Sequence, residues 1–254
     1  MKTLGRFLLR LLALLLLGVL ALQIYFAGRI GLMTVLAPQS TTFQRSEAWR
    51  LAVEQHHIAW SQQWVDDKAL SKSLKRAVIA SEDAGFVDHG GVEWDALEKA
   101  WNRNQREEAK AEKRAVAQSP TPGKAAANAR PPKVVGGSTI TQQLAKNLFL
   151  SGERNLARKG QEFLITLMLE ATLSKARILE IYLNSVEWGE GVFGAQAAAR
   201  HYFRLDAQQL SPPQAARLAV MLPAPKRFEK RPASPYVLSR AATIEARMPA
   251  VELP

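Results

Sequence analysis

The chain has 254 residues, of which 47% are hydrophobic, so it is long enough to bury a core in one or two domains. It contains no cysteine, which excludes disulfides, cysteine-ligated zinc and thiol catalysis. Its formal net charge of +11 favours an anionic partner, which includes nucleic acid, a membrane surface and a phosphorylated substrate.

The N-terminal residues have the pattern of a membrane anchor. Basic residues in the first ten positions precede the apolar run 11–28, which Gln23 interrupts and Arg29 closes. A run of this length spans the hydrocarbon core of a bilayer. A cleaved signal peptide has a similar composition, but no clear cleavage site precedes Arg29 and the run is long for a signal core. The basic flank predicts a cytoplasmic tail at 1–10 and a transmembrane helix at 11–28.

Beyond the anchor, the sequence predicts a mainly α domain. Pro38 and a Ser-Thr-Thr cluster predict an irregular connector over 29–45. From residue 46 to 254, apolar residues recur at helical spacing and sustained strand alternation is missing. Helices are expected from Leu70 to Asp83, from Asp95 to Arg103 and from Pro235 to Met248. Another is expected with Ser211 as its cap, Pro212 and Pro213 in its first turn, and an end at Leu222 before Pro223. Two more have the apolar faces Phe163, Leu164, Leu167, Met168 and Ala171, and Ile178, Leu179, Tyr182 and Leu183.

The stretch 105–132 differs from the rest of the domain. It consists of Ala, Lys, Arg, Glu and Pro with almost no large apolar residue, so it cannot bury enough surface to fold alone. We expect a flexible, basic insert there.

The segment 136–147 predicts a capped helix with a polar first turn. Gly136 and Gly137 favour a turn, Ser138 or Thr139 offers a capping oxygen, and Gln142 completes a capping box with Thr139. The unpaired N–H groups of such a first turn can seat a carbonyl or a phosphate. By itself, the pattern fits an ordinary capped helix equally well.

Two further clusters carry candidate chemistry. Glu82 and Asp83 lie beside aromatic and glycine-rich sequence, where a carboxyl with a raised pKa can act as a general base, although an acidic pair at a helix end is usually solvated. Arg158, Lys159 and Glu162, with Arg154 just before them, either form surface ion pairs or hold a diphosphate.

Other site types find little support in the sequence. His89 has no His or Cys companions, so it favours a hydrogen-bonding buttress over a metal ligand. No Gly-x-Ser-x-Gly elbow of a hydrolase occurs. The segment 175–184 has the apolar spacing of a core helix and is expected to be scaffold.

Taken in order, these segments resemble the peptidoglycan glycosyltransferases of family 51. Residues 82–91 are similar to that family's EDxxFxxHxG motif, 136–147 to GGSTITQQLxKN, 158–162 to RKxxE and 175–184 to KxxILExYLN, and 218–225 resembles the final motif. Two features depart from the pattern: the insert 105–132, and Thr166 where an alanine is expected.

The resemblance implies a lysozyme-like, mainly helical glycosyltransferase domain behind a single N-terminal transmembrane helix. It implies the monofunctional biosynthetic form, which lacks a transpeptidase domain and polymerises lipid II into β-1,4 strands with inversion and release of undecaprenyl diphosphate. The expected location is the bacterial inner membrane, with the catalytic domain in the periplasm. Expected partners are lipid II, the nascent strand, the membrane and other wall-synthesis or division proteins, but not nucleic acid.

The resemblance also implies roles for individual residues. Glu82 is the general base that takes the proton of the acceptor hydroxyl, and Glu162 is the second catalytic acid. No cofactor is required, no protein metal site is expected, and a divalent Mg or Mn ion at the diphosphate is left open. The substrate-binding residues implied are Asp83, Phe86, His89, Thr139, Gln143, Lys146, Asn147, Arg154, Arg158 and Lys159.

Three alternatives predict different residues. A lytic enzyme of the same fold needs a catalytic acid but no diphosphate-binding cations, so the set from Lys146 to Glu162 argues against it. An idle scaffold of the wall-synthesis complex predicts loss of Glu82 or of the cations. Nucleic-acid binding explains the charge alone, since no aromatic and basic recognition pattern accompanies it.

Overall fold

The computed structural model of the chain describes residues 2–94, 98, 105–106, 110, 138–150, 152 and 155–254. The helix predicted from Asp95 to Arg103 and the insert 105–132 lie almost wholly outside the described residues. Gly136, Gly137 and Arg154 lie outside them too.

Helix α1 (Lys2–Leu32) contains the apolar run. Within its segment Leu4–Leu32 an 18-residue stretch reaches a mean hydropathy of 2.5, and α1 is, within the described ranges, the one helix long and apolar enough to cross a membrane. The helix begins before the predicted span and continues past Arg29, because Phe26, Ile30 and Met33 are buried against the domain and stabilise its last turns. Helix α2 (Thr42–Glu54) begins at a capping box of Thr41 and Gln44. The predicted connector 29–45 is therefore shorter, at 33–41.

The rest of the described chain is a set of packed helices with one small sheet. The helices are α3 (Lys72–Glu82), α4 (Ile140–Phe149), α5 (Leu156–Thr172), α6 (Lys175–Ser185), α7 (Ala195–Phe203), α8 (Pro212–Met221), α9 (Pro225–Phe228) and α10 (Pro235–Arg247), with short 3₁₀ turns at Asp67–Ala69, Ala207–Gln209 and Met248–Ala250. Helix α3 packs against α8 and α10, while α4 packs against α2, α5 and α6. This arrangement confirms the mainly α expectation.

The sheet has three strands in the order β1, β3, β2: β1 (Ser61–Gln62), β2 (Glu187–Gly189) and β3 (Val192–Phe193). Strand β3 pairs in parallel with β1, with Ser61 opposite Val192, and antiparallel with β2, with Glu187 opposite Phe193. Strands of two or three residues are too short to show a period-two pattern, so the sequence does not predict them.

Helix α6 is the centre of the domain. Its residues from Ile178 to Ser185 are all buried, as the spacing of Ile178, Leu179, Tyr182 and Leu183 predicts. The side chain of Asn184 exchanges two hydrogen bonds of 2.9 Å with the backbone of Val65. The 175–184 motif is therefore scaffold, as expected.

Helix α5 turns a different face inward from the one predicted. Its buried residues are Glu162, Ile165, Thr166 and Leu169. Leu164 and Leu167, predicted to face the core, are 44% and 42% exposed. The prediction was wrong because apolar residues lie on more than one side of this helix, and periodicity alone does not tell a core-facing side from one turned to another apolar surface.

Candidate active site

Helix α4 begins where the sequence predicts, but a carboxylate of the chain fills its first turn. Thr139 is the N-cap and forms a capping box with Gln142. The backbone N–H of Ile140 donates to Oδ2 of Asp83 at 3.0 Å. The N-terminus expected to seat a substrate carbonyl or phosphate is therefore occupied by Asp83, whose negative charge the helix dipole stabilises.

Asp83 is held from its other side by His89. Nε2 of His89 lies 2.8 Å from Oδ1 of Asp83, and Nδ1 accepts from the backbone N–H of Gly91 at 3.0 Å. Because Nδ1 accepts, Nε2 carries the proton and donates to Asp83. Nζ of Lys175 donates to the carbonyl of His89 at 2.6 Å. His89 is thus the buttress that its isolation in the sequence indicates.

Gly91 allows this loop to lie close to α5. It has φ +87°, and a Cβ there would come within 2.7 Å of Thr166 Cγ2 and Glu170 Cγ. Its carbonyl accepts from Oγ1 of Thr139 at 2.6 Å. This hydrogen bond joins the loop after α3 to the N-cap residue of α4.

Four expected substrate-binding residues lie inside the domain. Asp83 is 5% exposed, Thr139 3% and Phe86 0%, and the side chain of His89 is 10% exposed. None of them lines the cleft described below. Direct substrate contact does not fit this placement, because each side chain is occupied by internal contacts or packed in the core.

Glu82, the expected base, lies at the last position of α3 and is held by an amide. Nε2 of Gln143 donates to Oε2 of Glu82 at 3.0 Å. Oε1 of the same amide accepts from the hydroxyl of Tyr182 at 2.9 Å. Tyr182 thus fixes the orientation of the Gln143 amide, so that its N–H group and not its oxygen faces the carboxyl.

Burial sets the ionisation of this group of residues. It raises the pKa of Glu82, and the hydrogen bond from Gln143 opposes that rise because it stabilises the carboxylate. Burial also raises the pKa of Tyr182, with help from the nearby charges of Glu82 and Asp83, so the phenol remains a donor. A half-buried carboxyl with a raised pKa is suited to accept a proton.

An open cleft of about 490 Å³ lies beside Gln143. Helices α4 and α5 form one wall, and the chain after α6 and α8 forms the other. Its lining residues are Phe43, Ser138, Gln142, Gln143, Lys146, Asn147, Leu150, Gly152, Arg158, Lys159, Glu162, Val186, Glu187, Leu222, Pro223 and Pro225. Five of the expected substrate-binding residues and Glu162 are brought together there.

The α5 wall of the cleft carries the cations. Nη1 of Arg158 donates to Oε2 of Glu162 at 2.9 Å, and Nζ of Lys159 pairs with Oε1 of the same carboxylate. Glu162 is only 3% exposed, so the pairing is more than a solvated surface contact. Nε of Arg158 is buried without a hydrogen-bond partner in the described part of the chain. An unpaired buried donor in a cationic cleft fits an anionic ligand.

Glu187 is a cleft residue that no motif indicated. It is 6% exposed, and its Oε1 lies 3.6 Å from Nζ of Lys226 and has no hydrogen-bond partner among the described residues. Burial raises the pKa of Glu187 to about 7, against the opposing charge of Lys226. The sequence feature that could have indicated Glu187 is its position three residues after the 175–184 motif, between the large apolar residues Val186 and Trp188. This signal is weak, because glutamates are usually solvated.

Among the residues described, no group of three or more His, Cys, Asp or Glu side chains has the geometry to hold a metal ion. Both oxygens of Glu162 already contact cationic side chains.

Known proteins of one family resemble the chain over most of its length. A family profile described as Transglycosylase matches residues 51–114 and 121–249. A protein of Cupriavidus metallidurans named biosynthetic peptidoglycan transglycosylase is 51% identical over 248 residues, which cover 94% of this chain and 95% of the relative. A protein of the same name from Herminiimonas arsenicoxydans is 48% identical over 254 residues, which cover all of both chains. Another, from Burkholderia thailandensis, is 50% identical over 92% of this chain and 83% of its own length.

Motifs, cleft and relatives lead to one assignment: the chain belongs to the transglycosylase family, with its lysozyme-like helical fold, and is a peptidoglycan glycosyltransferase of cell wall synthesis.

Proposed function

We propose that the chain polymerises lipid II into β-1,4 glycan strands, with inversion at the anomeric carbon and release of undecaprenyl diphosphate. The observation that carries this proposal is the placement of Glu82 on Gln143, because Gln143 also lines a cleft whose α5 wall is cationic. The base then lies one side chain away from the cleft that holds the anion site, an arrangement suited to glycosyl transfer from a lipid diphosphate.

Glu82 is the general base in this proposal. Its carboxylate takes the proton of the acceptor's 4-hydroxyl while that oxygen attacks the anomeric carbon of the growing chain's terminal sugar. The bond from this carbon to the diphosphate oxygen breaks, and the leaving group takes the electron pair. Attack from the face opposite the α-linked diphosphate gives the β product. The raised pKa of Glu82 supports this role, since it makes the carboxylate a stronger base.

Lys146, Arg158 and Lys159 meet the charge that develops on the diphosphate. They line the same cleft, and the unpartnered Nε of Arg158 is a donor available to a phosphate oxygen. Glu162 orients Arg158 and Lys159 by its two ion pairs. Asn147 contributes a polar side chain to the cleft. Arg154 remains a candidate from the sequence, outside the described residues.

Asp83, Phe86, His89 and Thr139 act as positioning residues in this scheme. Asp83 directly follows the base, Glu82, and its carboxylate accepts from the first turn of α4. The same helix carries Gln143. His89 and Thr139 hold the loop at Gly91 against the same helix start. Their contacts support a role in setting the distance between Glu82 and Gln143.

No metal is required in the proposed reaction. The carboxylate that a divalent ion would share with the diphosphate is Glu162, and Arg158 and Lys159 contact both of its oxygens. We expect polymerisation to continue in EDTA. Loss of activity that Mg²⁺ or Mn²⁺ restores would contradict this expectation.

The proposed location is the bacterial inner membrane, with α1 spanning it once, the N-terminus in the cytoplasm and the catalytic domain in the periplasm. The apolar span of α1 and the basic residues at its start support this orientation. The proposed partners are lipid II, the nascent strand and other wall-synthesis or division proteins. Nucleic acid is not among them.

The test is polymerisation of labelled lipid II by the purified full chain beside Glu82→Gln, resolved on a gel and then digested with a muramidase. We expect muramidase-sensitive polymer from the parent and at least a 100-fold slower reaction from the folded variant, because loss of a general base costs about this much. Equal activity of the two would remove Glu82 from its role. Absence of polymer from the parent would favour the scaffold reading, and shortening of preformed glycan the lytic one.

A further inference from the structure

Gln23 is a polar residue in the apolar run of the membrane helix, and it has a specific partner. Nε2 of Gln23 donates to Oε1 of Gln161 on α5 at 2.9 Å, and Nε2 of Gln161 donates back to Oε1 of Gln23 at 3.0 Å. Each amide thus satisfies the other. Hydrocarbon offers no hydrogen bonds, so an amide that loses such a partner next to lipid is left unsatisfied at a free-energy cost.

The pair belongs to a continuous seam between α1 and the domain. Gln23, Phe26, Ile30 and Met33 recur at intervals of three, four and three residues, so they form one stripe of the helix. Phe26, Ile30 and Met33 are 7%, 0% and 3% exposed. The ring of Phe26 meets that of Phe149 edge to face, with 5.2 Å between centroids. The last turns of α1 are therefore part of the domain core.

At the C-terminal end of α1, this seam ends in two hydrogen bonds from Arg177, which form a polar clasp. Nε of Arg177 donates to the carbonyl of Met33 at 2.9 Å, and its Nη2 donates to that of Leu36 at 3.0 Å. Both acceptors are backbone groups at the end of the helix. Between this clasp and Gln23 the seam consists of apolar contacts and one cation–π contact, with the guanidinium of Arg29 5.8 Å from the ring centroid of Phe149. These contacts are less directional than two reciprocal amide hydrogen bonds.

Gln161 also has a defined relation to the catalytic cleft. It directly precedes Glu162 on α5 and follows Arg158 by three residues. Glu162 and Arg158 line the cleft, whereas Gln161 faces α1. The same two turns of α5 therefore carry the anion site on one side and the membrane helix on the other.

We propose that the Gln23–Gln161 pair locks the register of the membrane helix on α5, and that both glutamines are positioning residues for the donor's diphosphate. Rotation or translation of α1 against α5 would leave two amides unpaired beside lipid. The other contacts of the seam are compatible with more than one rotation of the helix. A single buried polar residue specifies register in coiled coils for the same reason. The part of this proposal that concerns the diphosphate rests on the proposed roles of Arg158 and Glu162.

The first experiment measures the register directly. Because the chain has no cysteine, Leu20→Cys on α1 and Leu238→Cys on α10, both at exposed positions, accept two spin labels without background. In lipid nanodiscs we expect one narrow distance distribution in this labelled parent and a broadened or shifted one after Gln23→Leu or Gln161→Leu. Leu22→Ala, on the exposed side of α1, is the matched control and should leave the distribution narrow. An unchanged distribution in both glutamine variants would overturn the lock.

The second experiment measures the consequence for the reaction. We expect Gln23→Leu and Gln161→Leu to raise KM for lipid II about threefold to tenfold, the size of one interhelical hydrogen bond in a membrane, with kcat changed less than twofold and the pH profile unchanged. Leu22→Ala should keep the parent's KM. A KM equal to the parent's in both glutamine variants would overturn the positioning role. The distance measurement needs no turnover, so the lock is tested even if the proposed polymerase mechanism fails.

Discussion

At the scale of single residues, the orientation of one amide controls the proposed base. Gln143 can present either an N–H group or an oxygen to Glu82, and the hydroxyl of Tyr182 decides between them by occupying the oxygen. Tyr182 is 1% exposed, so water does not compete for this contact. A residue of the scaffold helix therefore acts on the chemistry through an intermediate side chain.

Tyr182→Phe should shift the pH dependence of polymerisation. Without the phenol, the Gln143 amide is free to rotate, the hydrogen bond that stabilises the Glu82 carboxylate weakens, and the pKa of Glu82 rises further. We expect the acidic limb of kcat/KM to move to higher pH, with a loss of about 3-fold to 10-fold on that limb that recovers as the pH is raised. The measurement is a pH profile of lipid II consumption.

Tyr202→Phe is the matched control for this prediction. The hydroxyl of Tyr202 donates to the carbonyl of Trp188 at 2.7 Å and makes no contact with Gln143. Its loss removes a similar hydrogen bond elsewhere in the fold. A Tyr182→Phe profile that superimposes on the parent's, or an equal shift in Tyr202→Phe, would contradict the proposed influence of Tyr182.

At the scale of elements, the start of α4 is where three parts of the site are joined. Thr139 caps the helix and also binds the carbonyl of Gly91, while Asp83 accepts from the next backbone N–H. Helix α4 in turn carries Gln143 and Lys146, which line the cleft. The cap therefore affects both the stability of the fold and the geometry of the site.

Thr139→Ala should destabilise the domain by about 2 kcal/mol, because it removes a helix cap and leaves the carbonyl of Gly91 without its hydroxyl donor. Thr139→Ser, which keeps the hydroxyl, should restore most of this loss. Ser234→Ala removes the N-cap of α10 alone and should cost about 1 kcal/mol. Urea unfolding in detergent measures all three. Equal losses at the two caps would show that the contact with Gly91 adds nothing.

Local signals predicted these elements well where they agree with the tertiary structure. The capping boxes, the prolines at the start of α8 and the spacing along α6 all depend on neighbouring residues, so the sequence contains them in full. Which face of α5 points inward depends on which apolar surface lies on each side of the helix. The tertiary structure decides this, so the local sequence does not predict it. The occupation of the α4 N-terminus by Asp83 is tertiary as well, because the two lie 57 residues apart.

At the scale of the whole molecule, the far wall of the cleft holds a partly buried ionic group. Lys226 pairs with Glu47 of α2 and lies 3.6 Å from Glu187 of β2. Arg50 joins Glu47 to Glu190 at 2.9 and 2.7 Å. These contacts connect the helix that follows the anchor with the sheet and α9. No motif indicated this group, since its members come from distant parts of the sequence.

Stability should depend on pH through Glu187. Its pKa is about 7 in the folded chain, against an ordinary value of 4.5, so between these values the unfolded chain loses a proton that the folded chain keeps. The contribution of Glu187 to the free energy of unfolding therefore falls as pH rises from about 4.5 to about 7. The groups that set this pKa are Lys226, Glu47 and Glu229.

Glu187→Gln removes this titration, so its melting temperature relative to the parent should rise over the same pH interval and level off above pH 7. Melting curves of both proteins from pH 4 to pH 8 provide the measurement. Glu190→Gln is a control on a more exposed neighbour whose pKa is lowered, mainly by its hydrogen bond with Arg50. Its titration lies below the ordinary carboxyl value, so its melting temperature relative to the parent should fall slightly as pH rises through the acidic end of this range and stay constant above it. A difference between Glu187→Gln and the parent that stays constant with pH would contradict the assignment.

The pairing of Glu162 with Arg158 and Lys159 also bears on the release of the carrier lipid diphosphate, the by-product of the proposed reaction. The two cations have a carboxylate partner before any lipid arrives, and in the proposed mechanism they keep it, so a diphosphate meets charge that Glu162 already offsets in part. We expect the affinity for the diphosphate to be correspondingly lower than two unpaired cations would give. An acid within the proposed anion site would thereby limit inhibition by the spent carrier lipid and favour the next round of elongation.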